Sequence, residues 1–407
     1  MFRTPMTIAS RLLFILISIG LLGLAACSLP QVQAEDRVFL DRSLEFLDAY
    51  SLDKQIFEET PVGGLSGLTY DRKRDRFYVI SDDRSKLAPA RFYTLQVKLD
   101  GQKSDREATP QDYRPSIETV TIEDVTFLKN AEGQTYTEGS IDPEDIALSA
   151  NNTVFVVSEG DPRYQEDGID PFVEEYDLQT GQSIQPFPLP PYYIPDAPEE
   201  TQTQGVQTNL GFEALTLNFG GSLPNGEPFR VFVATESALL QDVDETPPAD
   251  DSQPEGAKTR LLHYLVTDNR PQILAEHLYR LDAAPLMTPS NGLTDLVSID
   301  NGGHFLSLER TYGFGGFGAK IFQLAFGDAT DISGYENLQG NVSRFVPIRK
   351  QLMLDLKDLD IPLDNLEGMT LGPNLPDGSQ SLLLVSDDNF QEDQITQFLL
   401  FRILASG

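Results

Sequence analysis

The sequence predicts an all-β fold, a β-propeller of five to seven blades with six as the expected number. Three observations favour this fold. Short apolar runs broken by turn residues dominate the 407-residue chain, glycine and proline are plentiful at 31 and 27 residues, and one two-stranded pattern recurs five times. Radial repetition of antiparallel sheets is the arrangement that defines a β-propeller. The same pattern leaves a pair of β-sandwiches and a large open β-barrel as alternatives.

The recurring pattern opens with a small or acidic residue and a Leu, Ile or Met in a short apolar strand. A turn follows, and a second apolar strand ends in an acid. Successive copies lie about 70–80 residues apart, whereas a propeller blade needs about 40–50 residues, so the excess predicts insertions. The five copies cover residues 63–83, 142–161, 211–237, 292–310 and 365–389.

Two strands joined by a tight turn form an antiparallel hairpin, in which the start of the first strand lies beside the end of the second. Acids at these two positions should therefore meet on one rim. Five such hairpins around a common axis would surround one channel mouth with carboxylates. The opening positions are Ser66, Glu144, Glu213, Thr294 and Glu367, and the closing positions are Asp82, Glu159, Glu236, Glu309 and Asp387.

This acidic rim predicts a calcium site, because calcium takes six to eight oxygen ligands and carboxylates supply them. A metal there would orient a phosphoryl or carboxyl oxygen. The alternative is that the acids cap strand ends and accept hydrogen bonds from backbone amides in turns. The predicted ligands are Asp82, Glu144, Glu159, Glu213, Glu236, Glu309, Glu367 and Asp387.

Phosphoester chemistry also needs cations close to the acids. Arg84 follows the first acidic pair of the repeat, and Arg310 directly follows Glu309. We predict Arg310 and Glu309 as the catalytic residues. The alternative for Arg310 is a structural salt bridge to Glu309 or to a neighbouring blade.

Composition and missing motifs exclude several classes of function. With 30 basic and 63 acidic residues, the chain has a formal net charge of −33, which repels nucleic acid. Three histidines and no Gly-x-Ser-x-Gly sequence argue against a serine hydrolase or a zinc site. Residues 313–318, GFGGFG, match a dinucleotide-binding pattern but precede a strand-like run, so they predict a flexible loop over the channel mouth.

The N-terminal segment predicts export and a lipid anchor. Arg3 and Arg11 precede an apolar run, 12–26, that is short for a membrane span and typical of a signal sequence. It ends in LAAC, which is similar to a bacterial lipoprotein cleavage box, with the single cysteine, Cys27, as the lipidated residue. An ordinary signal sequence cut after Ala34 is the alternative.

These features predict a domain organisation and a location. We expect a lipoprotein signal peptide over residues 1–26, a linker over 27–45 that starts at lipidated Cys27, and the propeller over 46–407. We expect an exported monomer at the periplasm or cell surface, which contacts the membrane only through its lipid anchor.

Four sequence strings resemble the bacterial phytase-like domain family, whose members are labelled esterase-like proteins of the phytase family. They are GLSGLTYD with FYVISDD, GFEALTL with VFVATES, HFLSLERTYGFGG, and DNLEGMTLGP with LLLVSDDNF. The resemblance spans residues 49–403. It implies a relation to β-propeller phytases, in which calcium ions line one end of the channel and bridge phosphate to acidic side chains.

The resemblance therefore implies a calcium-dependent hydrolase that takes a small phosphoester or other ester as substrate. A non-catalytic binding or scaffold propeller of the cell envelope is the alternative from another class of protein, because a propeller fold does not decide function.

Overall fold

The computed structural model describes residues 38–100, 114–164, 168–197, 201–218, 227–244, 256–268, 270–284, 288 and 290–405. The predicted signal peptide and Cys27 lie outside these residues. The chain divides into two units, Met1–Leu40 and Asp41–Gly407, and every strand belongs to the second unit. Within the described residues, no helix is long and apolar enough to cross a membrane.

The second unit consists of β-strands with a few short 3-10 turns. In chain order the strands are β1 (Arg42–Leu52), β2 (Gln55–Phe57), β3 (Thr60–Val62), β4 (Leu65–Asp71), β5 (Arg76–Ser81), β6 (Arg91–Asp100), β7 (Ser116–Phe127), β8 (Pro143–Leu148), β9 (Thr153–Ser158), β10 (Phe172–Asp177), β11 (Ser183–Pro186), β12 (Phe212–Leu217), β13 (Phe229–Thr235), β14 (Lys258–Thr267), β15 (Arg270–Arg280), β16 (Ser290–Ser298), β17 (His304–Gly313), β18 (Gly316–Ala325), β19 (Arg349–Asp355), β20 (Asn365–Asn374), β21 (Gln380–Asp387) and β22 (Thr396–Ala405).

Twenty of these strands form five four-stranded antiparallel sheets, and β2 and β3 form a small separate hairpin. Blades 1 to 4 are β4–β7, β8–β11, β12–β15 and β16–β19. Blade 5 combines β20–β22 with β1, which pairs with β22 along its whole length. The first strands of the five blades contact one another in a closed circle, β4 to β8 to β12 to β16 to β20 and back to β4.

The predicted all-β propeller is therefore confirmed, and its blades number five, within the predicted range but below the expected six. The long repeat spacing reflects long outer strands and connections rather than a hidden blade. In blade 1, for example, β6 and β7 span 10 and 12 residues.

The innermost strands are buried on both faces because neighbouring blades cover them. Every residue of β8, β9 and β12 is buried. Aromatic contacts join the blades: the ring centroids of Phe155 and Phe229 are 5.8 Å apart, and those of Phe232 and Phe305 are 4.7 Å apart. Each fully buried large apolar side chain contributes about 1.5–3 kcal/mol to folding.

Candidate active site at the channel mouth

Each inner strand carries a β-bulge at the same place. The register with the second strand shifts between Leu65 and Leu68, and at the corresponding position in every other blade. A bulge leaves one residue unpaired and re-aims its side chain. The residues at the bulges are the five predicted opening positions, Ser66, Glu144, Glu213, Thr294 and Glu367.

The closing positions follow from the backbone pairing. The amides of Asp82, Glu159 and Glu236 donate to the carbonyl oxygens of the residues that precede β4, β8 and β12, at 2.6, 2.8 and 2.6 Å. Asp387 pairs with Asn365 in blade 5. In blade 4 the residue in this place is Arg310, which pairs with Gly292. The register thus moves the closing position of blade 4 by one residue, from Glu309 to Arg310.

Glu309 lies between blades 3 and 4, away from the other acids. Its carboxylate is buried and accepts hydrogen bonds from the Tyr279 hydroxyl at 2.6 Å and from the Asp282 amide at 3.0 Å. The Lys350 ammonium also contacts it. It fills the place that a Ser or Thr occupies in the other four blades, and its partners are structural.

The remaining acids form one group at the channel mouth, which we call the carboxylate ring. Charge interactions link its members around the axis, from Asp82 through blades 2 and 3 to blade 5 and back to Asp82. Seven of the eight predicted ligands belong to it, and Glu309 does not. The ring consists of Asp82, Asp142, Glu144, Glu159, Glu213, Glu236, Glu367 and Asp387.

Two trios of the ring bring carboxylate oxygens within 4.8 Å of one another. The first is Asp82, Asp142 and Glu144, and the second is Glu159, Glu213 and Glu236. Asp142 is the one ring member that the sequence prediction leaves out. Asp142 directly precedes the inner strand of its blade, at a position where the other blades have glycine or Asn365. An acid at this position was the sequence signal that could have identified Asp142 as a ring member.

Two arginines lie against the ring. Arg310 places Nη2 at 3.2 Å from Glu236 and 3.0 Å from Glu367. Arg84 places Nε at 2.6 Å from Asp142 and reaches Glu159 at 3.9 Å. In the part of the chain that the structure describes, the buried Nε of Arg310 has no hydrogen-bond partner.

Burial and mutual repulsion change the acid–base behaviour of the ring. Burial first, and neighbouring carboxylates second, raise the pKa of five members well above their ordinary values. For Glu236, burial raises the pKa to about 7, although Arg310 opposes the shift. The five strongly raised groups are Asp82, Glu144, Glu159, Glu213 and Asp387.

The charged carboxylates of the ring also change the pKa values of the two arginines. Burial alone would lower the pKa of Arg310, but the charges of Glu236 and Glu367 raise it above its ordinary value. Arg310 therefore stays charged at any pH at which the protein is folded. The ring thus combines carboxyl groups that have raised pKa values with two arginines that stay charged.

The ring fits a hard divalent cation such as calcium. All donors are oxygens, the two trios bring them close together, and Asp142 Oδ2 is buried without a hydrogen-bond partner among the described residues. Calcium prefers this donor set, and its charge would offset the repulsion that now raises the pKa values. Asp82, Asp142 and Glu144, or Glu159, Glu213 and Glu236, could hold the ion.

Comparison with known families returns one match. A family model described as "Phytase-like: Esterase-like activity of phytase" matches residues 60–390. No curated protein matches the sequence.

Comparison with solved structures returns propeller-sized chains at low similarity. The WD40 domain of Neurospora crassa Pan2 has a TM-score of 0.30 and 10% identity, over 89% of this chain and 96% of that chain. The Bombyx mori GH32 β-fructofuranosidase BmSUC1 has a TM-score of 0.34 and 10% identity, over 90% of this chain and 63% of that chain. At these scores the fold assignment rests on the sheet topology described above.

Proposed function

The chain belongs to the phytase-like family, and from that premise we propose that it is an ester hydrolase that works with calcium at the carboxylate ring. Its substrates are small phosphate esters or other esters with an anionic or polar carbonyl group. One observation carries the proposal: two partly buried arginines pair with four carboxylates of the ring, so a cation and an anion can bind side by side.

The two arginines orient the substrate. Arg310 binds an anionic ester oxygen, and Arg84 binds a second oxygen from the opposite side of the ring. Both guanidinium groups are held in place by ring carboxylates, so little side-chain freedom is lost when the substrate binds.

Glu236 links protons to calcium. Because its pKa is about 7 without the ion, it is part protonated at neutral pH and must release this proton when it binds calcium. The chemistry that calcium supplies when bound in the ring is neutralisation of the carboxylates and polarisation of the ester oxygen.

The test is an ester-hydrolysis assay on the full-length chain in mild detergent. Phosphate release from a panel of phosphomonoesters, including phytate, and hydrolysis of carboxyl esters are measured with calcium and then with EDTA. We expect turnover that needs calcium and that falls at least about 100-fold in Glu367→Gln, because Glu367 anchors Arg310. Glu132→Gln, an exposed acid outside the ring, is the matched control.

The second candidate function is a non-catalytic binding or scaffold propeller. It is favoured by the contacts that already satisfy parts of the ring, such as the Gly211 amide donating to Glu159 at 3.1 Å. Calcium binding without turnover on any ester of the panel would support this function and overturn the hydrolase.

We further propose that the protein is an exported lipoprotein, a monomer anchored through Cys27. The support is the signal-like run 12–26, which ends within the LAAC sequence at residues 24–27. Radiolabelled palmitate should label the wild-type chain in a bacterial host and not Cys27→Ser. Labelling that persists in the variant would contradict the anchor.

A further inference from the structure

The β17–β18 hairpin carries aromatic side chains beyond the edge of the ring. Its strands pair from His304 opposite Ala325 up to Gly313 opposite Gly316, so the turn consists of Phe314 and Gly315. The outer strand β19 pairs with β18 only from Lys320 onward. The end of the hairpin therefore extends past the body of blade 4. A Cβ added at Gly315 or Gly316 would meet no other atom of the described residues within 4 Å.

The aromatic residues of this end are unusually exposed for their size. Phe314 is 88% exposed and Tyr312 is 48% exposed. Tyr312 lies opposite Phe317, with ring centroids 4.6 Å apart. Exposed aromatic groups held together on a rigid hairpin are typical of binding surfaces rather than of a solvated loop. We call Tyr312, Phe314 and Phe317 the aromatic tip.

The aromatic tip is directly connected to the ring. Tyr312 is two residues after Arg310 on the same strand, and side chains two apart in a strand project from the same face, about 7 Å apart along the strand. Arg310 Nη1 also donates to Ser290 Oγ at 2.9 Å, and Ser290 is the residue that pairs with Tyr312. An ester whose anionic group is bound by Arg310 would place its organic group against the tip.

Arg84 and Arg310 supply two guanidinium groups at the ring. One phosphoryl or carboxyl group with an apolar remainder fits both the ring and the tip.

We propose that the aromatic tip selects esters whose organic group is aromatic or apolar, in preference to small polar esters. This inference rests on the proposed function, since it takes the ring as the site that binds the ester group. Tyr312 and Phe314 are its specificity-determining residues.

The first experiment measures preference. The ratio of kcat/KM for phenyl phosphate to that for glycerol phosphate is determined with calcium for the full-length chain, for Tyr312→Ala, and for Phe314→Ala. We expect a wild-type ratio well above one that falls about three- to tenfold in both variants, the usual loss for an aromatic contact. Tyr312→Phe should keep the ratio, and Ile56→Ala, which truncates a 76% exposed side chain elsewhere, should also keep it. An unchanged ratio in both tip variants overturns the inference.

The second experiment does not need turnover. Binding of phenylphosphonate and methylphosphonate, which are not hydrolysed, is measured by titration calorimetry. Tighter binding of phenylphosphonate that disappears in Tyr312→Ala supports the tip even if no ester is hydrolysed, in which case only the hydrolase proposal fails. Equal binding of the two phosphonates, or binding of neither, overturns the inference about the aromatic tip. If the protein hydrolyses esters but binds the two phosphonates equally, the hydrolase proposal remains supported.

Discussion

Asp145 and Asp295 form a hydrogen-bonded carboxyl pair across the channel, on the inner strands of blades 2 and 4. Asp145 accepts the amides of Ile146 and Leu215, both at 2.7 Å. Asp295 accepts the amide of Leu296 at 2.5 Å and that of Met369. Two side chains thus connect the inner strands of blades 2 to 5.

Blade 1 packs against the same pair of carboxyl groups at a glycine, which has no side chain. A Cβ on Gly67 would lie 2.2 Å from Asp145 Oδ1, so only glycine allows β4 to approach it. Burial raises the pKa of both carboxyl groups well above the ordinary value, and for Asp295 the charge of Asp145 adds to the effect. Burial thus favours the protonated form of the pair.

The first prediction concerns stability. Asp145→Ala should lower the free energy of unfolding by about 3–5 kcal/mol, because two buried amides lose their acceptor and Asp295 loses its partner. Asp145→Asn keeps the shape and one acceptor and should cost less. Urea denaturation at pH 7 measures both, with Glu132→Ala as the exposed control. A loss below about 1 kcal/mol in Asp145→Ala would contradict the role assigned to the pair.

The second prediction is the pH dependence of stability. A carboxyl group with a raised pKa in the folded state binds more protons when folded than when unfolded. Stability should therefore decrease as the pH rises above about 4, the ordinary pKa of aspartate. Asp295→Asn removes one of the two ionisable groups and should flatten this decrease in denaturation curves taken between pH 4 and 8. A variant as pH-sensitive as the wild type would exclude the pair as a source.

The sequence predicts the parts of this site that repeat along the chain. A strand, a turn, a second strand and an acid recur in the same order along the chain. This recurrence predicts the hairpins whose second strands end in Asp82, Glu159, Glu236 and Asp387. The bulge in each first strand is not visible, since one extra residue changes the pairing without changing the apolar pattern. For that reason the prediction places Glu309 where the register places Arg310.

The sequence pattern does not predict contacts between segments that lie far apart in the chain. β1 closes blade 5 by pairing with β22 at the other end of the chain, and nothing near Arg42 signals that partner. This pairing supplies the fourth strand of blade 5. Asp145 and Asp295 likewise meet only because the inner strands form a circle.

The third prediction separates Arg310 from its sequence neighbour. Arg310→Gln should reduce kcat/KM by about 100- to 1000-fold, as expected when a donor to the reacting anion is removed. Arg310→Lys should recover only part of the loss, because lysine cannot bind two carboxylates and an anion in one plane. Glu309→Gln should alter kcat/KM much less and mainly lower stability, since its partners Tyr279 and Lys350 are structural. The reverse order of effects would return the catalytic role to Glu309.

The fourth prediction tests how closely the blades pack at the ring. A Cβ on Gly292 would lie 2.0 Å from Glu236 Oε1, so Gly292→Ala should displace Glu236 and weaken its contact with Arg310. We expect weaker calcium binding in titration calorimetry, while circular dichroism stays that of a β protein. Gly334→Ala is the matched control, because no described atom lies within 4 Å of its Cβ position. Equal calcium affinity in the two variants would show that Glu236 is not a ligand.

The fifth prediction links calcium to protons. Carboxyl groups that hold protons near neutral pH must release them to bind a cation, so calcium affinity should rise with pH. For a group such as Glu236, with a pKa of about 7, the affinity should fall about tenfold per pH unit below 7 and level off above it. Glu236→Gln should flatten this dependence and weaken binding at pH 8.

Titration calorimetry at pH 6, 7 and 8, in two buffers with different ionisation enthalpies, counts the protons released per calcium. Calcium at about 100 times its dissociation constant should also raise the free energy of unfolding by about 2.7 kcal/mol, and EDTA should reverse the gain. Because the raised pKa values and the affinity for a cation both come from crowded, buried carboxylates, the two should change together in every ring variant. Calcium binding that is independent of pH between 6 and 8 would place the ion outside the ring.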